Sequence, residues 1–142
     1  MKKLLIILLC FPILFTSCYL QTEEQKALTE ICEKINNACP MMVKENLEFT
    51  SFNCKYPKVE ISYRYTDYES GDYNEVMKAL EMKNAEQGIN NNDGFSDFRD
   101  EGYIFVMRYL DKKYNSLFFL LLMKDTDGLY KLIDEPKNDE TK

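Results

Sequence analysis

Past an apolar N-terminal run, the hydrophobic positions follow two periods. Leu28, Ile31, Cys32, Ile35 and Cys39 recur at the spacing of one helical face. Thr22-Glu23-Glu24-Gln25 stands just ahead of them. A Thr hydroxyl and a Gln amide three residues later can satisfy the free amides of a helix start. Pro40 cannot continue the helix, so the pattern predicts a helix of about 16 residues. The period then changes to two. Leu47, Phe49 and Phe52 mark a strand from Leu47 to Cys54, and Tyr56-Pro57-Lys58 a turn. Val59, Ile61, Tyr63 and Tyr65 next alternate with Glu60, Ser62, Arg64 and Thr66, which predicts a strand with one buried and one wet face.

Glu69-Ser70-Gly71 interrupts this pattern, and Asp72-Tyr73-Asn74-Glu75 resembles a second helix cap. Val76, Met77, Leu80 and Asn84 follow at helical spacing, with Gly88 suited to a left-handed helix end. Residues 90–94 read as a loop, and Phe95 and Phe98 as one face of a short helical turn closed by Gly102. Tyr103 to Leu110 and Ser116 to Lys124 read as strands joined by a turn at 111–115. Within the second of these, Leu117 to Met123 is apolar without a break, which predicts a central strand covered on both faces. Asp125-Thr126-Asp127-Gly128 is a tight turn before a last strand, Leu129 to Ile133. The order is α-β-β-α-(short α)-β-β-β. It predicts a two-layer α+β domain over 22–134, with two main helices on a mostly antiparallel sheet of four to five strands. Residues 135–142 form a polar tail, expected to be flexible.

The N-terminus carries an address. Lys2 and Lys3 precede an apolar run from Leu4 to Phe15. That run is shorter than the roughly 20 residues a membrane-spanning helix needs, and fits a signal peptide. Phe15-Thr16-Ser17-Cys18 then sets small residues directly before a cysteine. This resembles the lipobox of bacterial lipoproteins, with Phe15 where that motif favours Leu. The resemblance implies removal of residues 1–17, a diacylglycerol on the Cys18 thiol and an acyl chain on its new amine. Two or more chains give stable anchoring. Residues 18–21 would be a lipidated tether at a bacterial cell membrane or outer membrane, facing the periplasm or the exterior.

Composition narrows the functional classes. After such cleavage 125 residues remain, enough for one domain. Lys2 and Lys3 leave with the signal, so the remainder holds 16 basic and 24 acidic side chains, a net charge of −8. Such a surface repels phosphate backbones and argues against nucleic acid as a partner. It also makes lipid, rather than a basic patch, the expected means of membrane contact. The absence of His removes the commonest general base and most catalytic zinc sites. The absence of Trp weakens a carbohydrate-stacking reading.

Ile35-Asn36-Asn37-Ala38-Cys39-Pro40, Tyr63-Arg64-Tyr65-Thr66 and Gly102-Tyr103-Ile104-Phe105 occur in that order. The series resembles uncharacterised small exported bacterial proteins, in which a helix ending in Asn-x-x-Cys-Pro precedes a strand pair. The resemblance spans about residues 28–112. It implies an exported domain and assigns no activity. Lys44 stands where those proteins often carry Asp, and a further Cys expected near Asn92 is absent.

Candidate chemistry is sparse. With Cys10 in the signal and Cys18 lipidated, Cys32, Cys39 and Cys54 remain. All three can be read as small buried apolar residues. Export also permits a disulfide. Cys32 and Cys39 would lie roughly 10 Å apart along a helix, too far for a bridge. If the first helix runs antiparallel to the first strand, the pair favoured by geometry is Cys32 and Cys54. Loops around Gly94 and Gly128 fail the calcium template, since Ile89 or Met123 would occupy its first position. Asp97, Asp100 and Glu101 could serve acid–base chemistry, but in so acidic a chain they read as a solvated face. Tyr63 and Tyr65 are expected to point inward. Tyr68 and Tyr73 are then left as an exposed interaction surface, since Tyr suits interfaces. The expectation is a non-enzymatic binding or assembly module without cofactor or metal, with an envelope protein as partner. A carrier of a small apolar ligand is the alternative, and an enzyme a third, disfavoured reading.

Overall fold

The computed structural model describes residues 20–133. Cys18, the signal segment 1–17 and the tail 135–142 lie outside the described residues. Helix α1 (Glu23–Ala38) begins at the Thr22 capping box, in which the Gln25 amide donates to Thr22 Oγ1 (3.1 Å) and the Thr22 amide to Gln25 Oε1 (3.2 Å). Strands β1 (Met41–Lys44), β2 (Leu47–Lys55) and β3 (Lys58–Tyr65) follow, then α2 (Glu75–Asn91), the short α3 (Ser96–Asp100), and β4 (Ile104–Leu110), β5 (Ser116–Lys124) and β6 (Tyr130–Leu132). The six strands form one sheet in sequence order. Every neighbouring pair is antiparallel except β3 and β4, which run parallel in register from Lys58↔Ile104 to Arg64↔Leu110. A parallel pair needs a crossover, and the segment containing α2 and α3 supplies it.

The architecture is α+β as predicted, with six strands rather than four to five; beside the two main helices, α3 with Phe98 is the short helical turn expected before Gly102. The additional strand is β1. Its four residues, Met-Met-Val-Lys, are all exposed, so no in-out alternation marks it in the sequence. It exists by pairing with β2 through Met41↔Phe49, Met42↔Glu48 and Lys44↔Leu47.

One face of the sheet carries the core: Val59, Ile61 and Tyr65 of β3, Phe105, Met107 and Tyr109 of β4, and Phe118, Leu120 and Leu122 of β5 are buried. Leu28 and Cys32 of α1, Ala85 and Ile89 of α2, and Phe98 of α3 belong to the same cluster. Cys32 is bridged to Cys54 of β2, with Cα atoms 6.0 Å apart, which ties α1 to the sheet. Cys39 is not on the helical stripe; it is the half-buried C-cap residue of α1, and its thiol donates to the Ile35 carbonyl.

Three expectations are corrected here. Strand β5 is not covered on both faces. Phe119 and Met123 lie on the side opposite the buried Phe118, Leu120 and Leu122 and are exposed, because the helices pack on one face and no described element covers the other. In α2 the inward face is Glu81, Ala85 and Ile89, at every fourth residue. Val76 (78% exposed) and Leu80 (54% exposed) point away from the core. The true face carries a Glu, so hydrophobicity alone selects the wrong one. Gly88 does not end α2, which runs on to Asn91. Asn90 donates to the Tyr130 carbonyl (2.8 Å) and accepts from the Tyr130 amide (2.8 Å), while Arg99 donates to the carbonyls of Ile89 (2.7 Å) and Asn92 (2.8 Å). These partners hold the last turn, and nothing near Gly88 in the sequence announces them.

The β4–β5 turn is organised by Asp111, which is almost wholly buried. It accepts from the Ser70 hydroxyl (2.6 Å), the amides of Lys113 and Asn115 (2.8 Å each) and the Asn115 side chain (2.9 Å). The Ser70 hydrogen bond, with those from Asn115 and Lys113, holds its carboxyl well below the usual carboxylate range.

Candidate functional site

The least ordinary chemistry lies between α2 and the β1–β2 edge of the sheet. Because α2 faces the sheet with residues four apart, Glu81 falls over the strand tyrosines. Its side chain is 7% exposed. The Tyr65 hydroxyl donates to Glu81 Oε1 (2.9 Å), and Lys44 Nζ, from the exposed strand β1, approaches the same oxygen at 3.5 Å. A buried carboxylate is tolerated only with such partners. Tyr109 stacks on Tyr63 (centroids 5.3 Å apart) and on Tyr65 (6.3 Å). Burial, reinforced by the Glu81 charge, raises the Tyr63 hydroxyl to about 12 and pushes those of Tyr65 and Tyr109 higher still. The Tyr65 phenol thus keeps its proton and acts as the donor to Glu81.

Beside this cluster a cleft of about 330 Å³ is lined by Lys44, Leu47, Tyr63, Glu81, Met107 and Tyr109, among others. Its outer lip is β1, whose Met41, Met42 and Val43 are exposed and which forms one edge of the sheet. A strand at an edge offers unpaired backbone groups to another chain. The cleft thus combines an apolar lip, aromatic walls and one compensated carboxylate at its base. Such a surface can bind.

The residues singled out from the sequence lie elsewhere. Tyr63 and Tyr65 point inward. Tyr68 and Tyr73 are half-buried rather than free-standing: Tyr68 packs edge-on against Tyr65 (5.1 Å) and Tyr73 against Phe118 (5.6 Å). Asp97 and Asp100 are exposed and, with the half-buried Glu101, border a groove against α1 at Glu24, Ala27, Leu28 and Ile31. Glu101 accepts from the Gln25 side chain at 3.5 Å. Around Gly128 the Asp125 carboxylate accepts the amides of Asp127 and Leu129 (2.9 Å each) and pairs with Lys131 (2.6 Å), the bonding of a turn. Among the described residues no three His, Cys, Asp or Glu converge as metal ligands. Sequence reasoning missed the Glu81 cluster because its members come from β1, β3, α2 and β4. The one local signal was an acid on the period of Met77, Ala85 and Ile89.

No protein-family model matches the sequence, and no curated protein is significantly similar to it. Solved structures do share the fold. A protein of Pseudomonas aeruginosa described as secreted is 10% identical, with a TM-score of 0.55, over 76% of this chain and 97% of that one. EpsS, the pilotin of the Vibrio vulnificus type 2 secretion system, is 11% identical, with a TM-score of 0.52, over 70% of this chain and 86% of that one. AspS, a type II secretion system pilotin of Vibrio cholerae, is 13% identical, with a TM-score of 0.51, over 72% and 94%. At these identities the likeness is one of fold.

Proposed function

We propose that this chain is an envelope lipoprotein, held at a bacterial membrane by lipid on Cys18, which acts as a non-enzymatic binding or assembly module. Its partner is an envelope protein that seats on the cleft between β1 and α2. The observation that carries this reading is the cleft itself: an exposed apolar edge strand beside aromatic walls, with Glu81 already matched by Tyr65 and Lys44. Aromatic walls beside an exposed edge strand favour recognition. Two pilotins of type II secretion systems carry this fold, which supports a role in assembly. The alternative, a carrier of a small apolar molecule held between helices and sheet, needs room within that layer. That layer is filled by Val59, Ile89, Phe105 and Leu122, which have no exposed surface.

The test is site-specific photocrosslinking in intact cells. A crosslinker at Val43 on the lip is expected to capture one discrete envelope protein. The same group at Glu33, on the exposed side of α1, is expected to capture none, and Leu47→Asp in the cleft wall should abolish the Val43 product. Equal products from Val43 and Glu33, or a product indifferent to Leu47→Asp, would count against the proposal.

A further inference from the structure

The start of α1 shares one end of the sheet with three other segments. The Gln25 side chain meets Glu101, the Ile104 amide donates to the Pro57 carbonyl (2.7 Å), and the Tyr130 hydroxyl donates to the Tyr103 carbonyl (2.7 Å). The 56–57 turn, the 101–103 segment and the β5–β6 hairpin therefore cluster where the chain enters the domain. Exposed apolar side chains gather at the same end: Leu20, Tyr56, Met123 and Leu129.

Charge is divided across that end. The sheet face without helices carries Lys55, Lys58, Arg64, Arg108 and Lys131 against Glu48, Glu60 and Asp125, of which Glu60 pairs with Lys58 (2.9 Å) and Asp125 with Lys131 (2.6 Å), a cationic excess in a chain of net charge −6. The helix side carries the acidic groove of Glu24, Asp97, Asp100 and Glu101. Length then limits what this end can meet. Cys18 lies four residues before Thr22, which caps α1, so a lipid on Cys18 holds the helix start within about 14 Å of the anchoring point.

We propose that this end, with the adjoining part of the open sheet face, rests directly on the bilayer that holds the anchor. Tyr56, Met123 and Leu129 enter the boundary between headgroups and acyl chains, and Lys58 and Lys131 meet anionic headgroups. Tyr and Lys suit that depth, having apolar bodies and polar tips. The acidic helix side tips away from the same headgroups, which sets the orientation and leaves the cleft, on the helix side of the sheet, open to a partner. The proposal rests on the lipid-anchor reading and adds a second contact between protein and membrane.

The chain has no Trp, so single Trp reporters read the contact. The lipidated full chain is placed in vesicles of phosphatidylglycerol and brominated phosphatidylcholine, as Leu129→Trp, Met123→Trp and, at the exposed start of α2 far from this end, Val76→Trp. Intact mass first establishes the lipid on Cys18. The Leu129→Trp and Met123→Trp signals are expected to be quenched at least about two-fold more than that of Val76→Trp. Equal quenching in the three variants, with the lipid present, overturns the surface and leaves the anchor standing. A chain with no lipid on Cys18 sinks the anchor reading and this surface with it.

Discussion

Replacing Cys32 and Cys54 together by Ala is expected to lower the unfolding free energy by about 3 kcal/mol. The two residues are 22 apart in sequence, and closing a loop of that size removes freedom mainly from the unfolded chain. The bridge also fixes α1 to β2 beside a second link, the Asn36 side chain accepting the Phe52 amide (3.0 Å) one turn further on. For a domain of this size the loss corresponds to a fall in melting temperature of roughly 10–15 °C. Denaturant titration of the oxidised chain beside the double variant measures it. Reductant should reproduce the shift in the native chain and do nothing to the variant. If reductant leaves the native midpoint unchanged, Cys32 and Cys54 act as two small apolar residues and the bridge contributes nothing to stability.

The second large effect is expected at Glu81. Truncation by Glu81→Ala removes the acceptor of the Tyr65 hydroxyl and the partner of Lys44. The phenol is left buried and unpaired, which costs about 2–4 kcal/mol. Replacing both partners with apolar groups is gentler than removing one, so Glu81→Leu combined with Tyr65→Phe should be less destabilising than Glu81→Ala alone. Glu81→Gln keeps an acceptor of the same length and should cost only about 1 kcal/mol. A double-mutant cycle on Glu81 and Tyr65, read by equilibrium unfolding, measures the coupling. Strictly additive losses would show that the cluster is not a unit.

Much of the fold is legible from the sequence where local rules decide it. The Thr22 box and Pro40 bracket α1, and the alternation from Val59 to Tyr65 marks β3, because each signal lies within the element it describes. The parts that were not legible depend on distant partners. Strand β1 has no buried face and is defined by its pairing with β2. The last turn of α2 is held by Tyr130 and Arg99. The parallel register of β3 on β4 is set by a crossover rather than by any residue within the strands. The apolar run of β5 suggested two covered faces, and only the topology shows that one is open.

The candidate site divides in the same way. The inward direction of Tyr63 and Tyr65 could be read from strand alternation. Their meeting with Glu81 and Lys44 could not, since it joins β1, β3 and α2. The pairing of Cys32 with Cys54 needed one structural premise, the antiparallel course of α1 and β2, beyond the spacing of the cysteines. Tyr68 and Tyr73 looked free only because their packing partners, Tyr65 and Phe118, lie on strands. The open face of the sheet, with its cationic excess, was hidden inside a net charge of the opposite sign.

The central claim is that a lipid on Cys18 holds this binding domain at a membrane. Fractionation of cells producing the native chain or Cys18→Ala tests it most directly. The native chain is expected in the membrane fraction and the variant in the soluble fraction, because among the described residues no helix is long and apolar enough to cross a membrane in place of the lipid. If the two chains partition alike between membrane and soluble fractions, the claim is contradicted.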